Sequence, residues 1–278
     1  MIRPLFAITA ASLLSVCVAF SSHEAWAHVA YINMQTAPFT TQTTNADGSI
    51  TYDRLGRVLG NGGWANGTDA NWGNSHDVPW HLFSIPTEGA YIDLSITGGI
   101  TVIPSNPTLT LLGDLTPAFS LYSGTVPGSA HEGAPAYPVP ADKEGLWNAL
   151  GDTTMANNSG QVRTIQYLTH AGTVNGTATS VSLNDYFLSG GLYTVVLGGA
   201  CFECYPHYER LDPSDPAYDP NYENLIIDIE NDAFQQRGFR SVLTVHPVAP
   251  VPVPAAVWLF SSGLAGLVGV LRRRQSAV

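Results

Sequence analysis

The densest chemistry in the chain lies between Trp64 and His81. Trp64, Asp69, Asn71, Trp72, His76, Asp77, Trp80 and His81 all fall within these eighteen residues. Aromatic rings beside histidine make a partly dry setting, in which a neutral imidazole is a good ligand for copper or zinc. His76 is the first candidate, because the carboxylate of Asp77 could orient its ring through the nitrogen that does not bind metal. The same composition also suits a turn-rich loop whose tryptophans cover one end of a β-sandwich.

Other constellations are thinner. Cys201 and Cys204 form a Cys-x-x-Cys pair, which in an oxidising compartment is either a tight local disulfide or a reduced metal half-site. A four-ligand zinc site would need a remote partner for that pair. Calcium is the second metal to weigh. The stretch from Asp219 to Glu230 has oxygen side chains at EF-type spacing but Asn224 where glycine belongs, and Leu225 to Ile229 reads better as a strand. Asp69 with Asn71, and Asp152, are equally open oxygen sites. Should export leave His28 at the N-terminus, its amine and imidazole could chelate copper and support oxidase chemistry. No Gly-x-Ser-x-Gly, His-Glu-x-x-His or phosphate loop occurs, so catalysis is not expected.

The elements that must position these residues read as strands. Short runs rich in Val, Ile, Thr, Tyr and Leu recur at Trp80–Ile85, Tyr91–Thr97, Thr108–Leu112, Ala118–Tyr122, Val162–Leu168, Ser180–Leu183, Tyr193–Leu197 and Ser241–Val245. Glycine, proline, asparagine and aspartate separate them. Tyr91 to Ile96 alternates as a strand with one wet face. Lys143 to Leu150 suggests a short helical turn. The pattern predicts an all-β fold, an antiparallel sandwich or jelly roll, occupying residues 28–247.

Both ends carry signals. Arg3 precedes an apolar stretch from Leu5 to Phe20, and Ala25-Trp26-Ala27 offers a small-x-small cleavage site, so residues 1–27 read as a signal peptide. Residues 248–278 hold Val251, Pro252 and Pro254, then Trp258-Leu259-Phe260, then an uncharged run closed by Arg272, Arg273 and Arg274. That run is just long enough to form a transmembrane helix, with the arginines staying cytoplasmic. This tail resembles the PEP-CTERM sorting signal read by bacterial exosortases, with Val253 in place of the family's glutamate. The resemblance implies signal peptidase and exosortase as processing partners. It also implies transient anchoring in the inner membrane and a final place at the cell surface or outside the cell.

Without those ends the body keeps 7 basic and 21 acidic residues, a formal charge of −14. Such a surface does not suit nucleic acid, and it suits an extracellular matrix or cation capture. Within the body, Gly62 to Phe83, Pro117 to Gly124 and Tyr167 to Ala171 are similar to segments of copper(I)-binding, copper-repressible surface proteins of methane-oxidising bacteria. That resemblance implies a β-rich body with a calcium ion, and a copper held by two histidines and a tryptophan oxidised to kynurenine. Residue by residue it points to His76 and His131 as the imidazoles, Trp80 and then Trp72 as the tryptophan, and His170 as a supporting residue. The Pro-rich, Cys-containing loop from Cys201 to Asn224 departs from that family. The alternative is an adhesive, exopolysaccharide-associated matrix protein without metal, in which Trp64, Trp72 and Trp80 stack on sugars.

Overall fold

A computed structural model of the chain describes residues 29–64, 72–75, 78–104, 106–131, 134–138, 146–201, 235–248 and 260. Two sheets face each other. The six-stranded sheet contains β1 (Tyr31–Asn33), β5 (Trp80–Ile85), β7 (Pro117–Ser123), β9 (Thr153–Ala156), β10 (Val162–Ala171) and β12 (Gly191–Gly199). Their order is β1-β5-β12-β7-β10-β9, antiparallel throughout except for the β1–β5 edge pair. The five-stranded sheet contains β2 (Thr41–Thr44), β3 (Ile50–Leu59), β6 (Ala90–Ile100), β11 (Ser180–Leu188) and β13 (Gln236–Pro247), in the order β11-β6-β13-β3-β2. A separate ribbon pairs β4 (Trp72–Asn74) with β8 (Leu146–Asn148).

The sandwich core follows from alternation. Phe83, Phe119, Leu121, Val195 and Leu197 of one sheet meet Ile92, Leu94, Ile96, Phe239 and Leu243 of the other in a single buried cluster. On β6 the intervening residues Tyr91, Asp93, Ser95 and Thr97 are exposed or half-buried, the one-wet-face pattern that its sequence predicts. The six-stranded sheet has no wet face of that kind at its centre. Val196, Ala118 and Tyr122 point outward into a second buried cluster with Trp64, Trp80 and Trp147. That second burial explains why Tyr193 to Leu197 reads as a continuous apolar run rather than an alternating one. The layers sit very close: a side chain on Gly199 would meet the Asn61 backbone, and one on Gly73 would meet the Trp64 carbonyl.

Two expectations need correction. Residues 146–148 are strand β8, so the helical turn expected from Lys143 to Leu150 does not form there, because Leu146 to Asn148 pairs with β4. Thr108 to Leu112 is not a strand and makes a single bridge, Leu112 to Arg237. Strand β13 is already paired along its length by β3 and β6, so only its overhanging start is open to Leu112. Among the described residues no helix is long and apolar enough to cross a membrane. The signal peptide and nearly all of the sorting tail lie outside them. Of the sorting motif only Phe260 is described, and it is exposed.

Candidate metal centre

The outer layer holds Trp80 and His170 of the expected site residues. Trp80, at the start of β5, is 2% exposed; its ring meets Tyr31 edge-on at 6.3 Å and Trp147 at 5.8 Å. Trp147 continues to Tyr122 at 6.1 Å, Tyr122 to Tyr167 at 5.9 Å, Tyr167 to His170 at 6.2 Å, and His170 to Trp64 at 5.7 Å. Seven rings therefore form one continuous chain across the outside of the sheet. Edge-on and tilted pairs at these spacings add roughly 0.5–1.5 kcal/mol each beyond the area that they bury.

Hydrogen bonds lock the layer. Trp64 donates its indole N–H to Ser120 Oγ at 2.9 Å, and that hydroxyl donates to the Ala149 carbonyl at 2.5 Å. Tyr122 donates to the Asn148 carbonyl at 2.6 Å, and burial pushes its phenol well above the ordinary value. Ser120 has no solvent exposure, so Ser120→Ala would leave an indole N–H and a carbonyl unpaired. The expected cost is about 1–3 kcal/mol in urea unfolding. A loss below about 0.5 kcal/mol would mean that water takes over the bridge.

His170 stands exposed on β10, opposite Ser120 of β7. Its Nδ1 shares a 2.5 Å hydrogen bond with the Tyr167 hydroxyl. In the tautomer where Nδ1–H donates to that oxygen, Nε2 keeps the lone pair that a metal needs. His131 is half-buried, its backbone N–H bonded to the Ala156 carbonyl and its Nε2 3.0 Å from Asn158 Oδ1. The residue before it, Ala130, accepts from Val29 N–H at 2.7 Å. His131 and His170 thus have separate surroundings, one beside β9 and one beside Trp64. Trp72 is half-buried on β4, opposite Asn148. His76 and Asp77 lie outside the described residues, flanked by the buried Ser75 and Val78.

The remaining candidates fall out differently. Cys201 is disulfide-bonded, its partner lying outside the described residues, so it is not available as a thiolate ligand. Asp152 commits one carboxylate oxygen to the Tyr167 amide at 2.8 Å. Asp69, Asn71, His28, Cys204 and the stretch from Asp219 to Glu230 lie outside the described residues. Trp64 and Trp80 are 1% and 2% exposed, so neither presents a face on which a sugar could stack. Trp147, which fills the centre of the layer, is not among the residues expected from the sequence. Its only signal was a tryptophan in a stretch read as helix.

No family model and no curated protein matches the chain. Among solved structures it is similar to CorA, a surface-associated copper-binding protein important in copper acquisition by Methylomicrobium album BG8. The two are 11% identical with a TM-score of 0.41, the match covering 79% of this chain and 99% of that one. It is also similar to MopE, a secreted protein of Methylococcus capsulatus in which an oxidised tryptophan facilitates copper binding. Identity there is 13% and the TM-score 0.35, over 71% of this chain and 84% of that one.

Proposed function

We propose that this is an exported cell-surface protein that captures copper without turnover. Copper is held in this reading by His76 and His131, with Trp80 as the oxidisable aromatic and His170 in support. The observation that carries it is the aromatic layer. Trp80 is a buried ring within a chain of rings that ends at the exposed His170 and at Trp64, and His131 stands half-buried beside β9.

The donor set fits the ion. Among the described residues no three of His, Cys, Asp and Glu gather into a cage, and Cu(I) needs none, since it is satisfied by two or three soft or imidazole ligands. When bound, copper would supply redox chemistry next to tryptophan, with dissolved dioxygen as the oxidant. The chain's own part is to hold imidazoles and exclude water. Export and exosortase sorting rest on the two terminal signals in the sequence.

Metal analysis and intact mass of the protein purified from its native surface test the reading. The expected result is near-stoichiometric copper, lost in His76→Ala and His131→Ala and retained in His170→Ala. A mass shift on the peptide containing Trp80 would mark its oxidation. Copper unchanged in both His76→Ala and His131→Ala would overturn the ligand assignment. No copper in the native protein would overturn the function.

A further inference from the structure

Beside β3 and β13 lies a second polar constellation, separate from the aromatic layer. Four arginines lie on β3 and β13: Arg57 bonds Gln236, and Arg237 and Arg240 have carboxylate partners. Arg237 bonds Asp114 through Nε at 2.8 Å and Nη2 at 3.3 Å, and Arg240 bonds both oxygens of Asp53. Arg54 has none. Its Nη1 donates to the Pro38 carbonyl at 2.7 Å, while its Nε is buried without an acceptor. Loss of hydration lowers its pKa.

Facing it is His81 of β5, which has 0% exposure. Alternation turns its ring to the same side as Phe83 and Ile85, into the core, where it meets Phe239 edge-on at 5.9 Å. Among the described residues neither ring nitrogen has a hydrogen-bond partner. Buried polar groups are nearly always paired, so three unpaired nitrogens at one place, Arg54 Nε and both of His81, need an explanation. Both line the same cavity of about 340 Å³, with Arg57, Leu55, Leu109 and Phe239 among its walls. Among the described residues no Asp or Glu lines it, although the chain has 22 acidic residues to 11 basic ones.

We propose that this cavity binds a small organic anion. Its carboxylate would sit on Arg54, its apolar body against Leu55, Leu109 and Phe239, and the neutral His81 ring would close the floor with one N–H to donate. The chemistry excludes a cation, which Arg54 and Arg57 repel. It favours a monoanion with an apolar portion, because beyond the two guanidinium groups, Asn106 and His81 the described walls are mostly hydrocarbon. This site is independent of copper.

Titration of the mature chain with benzoate, octanoate and inorganic phosphate, followed by calorimetry and saturation-transfer NMR, tests the proposal. Benzoate or octanoate should bind saturably, with a Kd on the order of 0.1–1 mM. Arg54→Gln should weaken that binding about tenfold or more. Leu109→Trp, at a half-buried turn position, should block it to a similar extent and serves as the test if Arg54→Gln fails to fold. Three outcomes would overturn the proposal: no saturable binding below about 10 mM, phosphate binding as tightly as the organic anions, or unchanged affinity in a folded Arg54→Gln protein. The first would mean that ordered water alone satisfies Arg54 and His81.

Discussion

Acidification from pH 6.5 towards pH 3 should cost the wild-type chain stability that a His81→Leu variant keeps. The difference should grow by roughly 1.4 kcal/mol per pH unit. The cause is the fully buried imidazole, whose pKa burial pulls from 6.5 down to about 3, with the neighbouring Arg54 charge acting in the same direction. The Pro79 carbonyl pulls weakly the other way, but it is not in hydrogen-bonding geometry with either nitrogen. The sign follows directly. Above pH 6.5 both folded and unfolded chains carry a neutral ring, so the residue contributes no slope. Below it the unfolded chain takes up a proton that the folded chain refuses until about pH 3, so the unfolded state gains. Over the whole window this amounts to roughly 4–5 kcal/mol, a large part of the stability of an ordinary domain. Carboxylates such as Asp47, whose pKa the Ser49 hydroxyl and amide hold down, also lose their contribution in acid. They titrate in both proteins and cancel in the difference. Urea unfolding of the two proteins at pH 7.5, 6, 5 and 4 measures it, and parallel acid limbs would sink the idea. At pH 7.5 the variant should be as stable as wild type or more so, because leucine removes two unpaired ring nitrogens.

His81 also shows where the sequence could be read and where it could not. Its strand was legible, because Trp80 to Ile85 is aromatic and β-branched between turn residues, and the structure has β5 over those residues. Its burial was not, since a histidine beside Trp80 looks like part of the same site. Alternation sends the two to opposite faces, Trp80 into the outer cluster and His81 into the sandwich. Strand β3 was missed for a related reason. Asp53, Arg54, Gly56 and Arg57 break any apolar alternation, and they make sense only beside their cross-strand partners Arg240 and Gln236. The short strands β1, β4, β8 and β9 carry three or four residues each, too few for a period to show. Of the expected site, His131, His170, Trp72 and Trp80 were named from sequence resemblance. What no pattern along the chain could give is the ring-to-ring order that links Trp80 to His170 through Trp147, Tyr122 and Tyr167.

That order makes Trp147 the side chain whose loss should do the most local damage. It is 1% exposed, contacts the rings of Trp80 and Tyr122, and lies under Gly73 of the β4 strand. Removing a buried tryptophan ring costs about 3–5 kcal/mol. Among the described residues its Nε1 has no acceptor, so part of the loss is offset and the lower half of that range is expected for Trp147→Ala. Trp147→Phe keeps an aromatic body while discarding the unpaired N–H, and should cost less than about 1.5 kcal/mol. The damage should stay in the outer layer, because the sandwich cluster of Phe83, Phe119, Leu121, Ile92 and Leu94 does not include this ring. Near-UV circular dichroism of Trp147→Ala should therefore weaken at urea concentrations where the far-UV strand signal is intact. Coincident transitions by the two probes would show that the layers unfold as one and would refute the separation. If Trp80 is the aromatic beside copper, the same variant should also weaken copper binding without touching a ligand. Trp147→Phe should restore it, which a merely unfolded protein could not do.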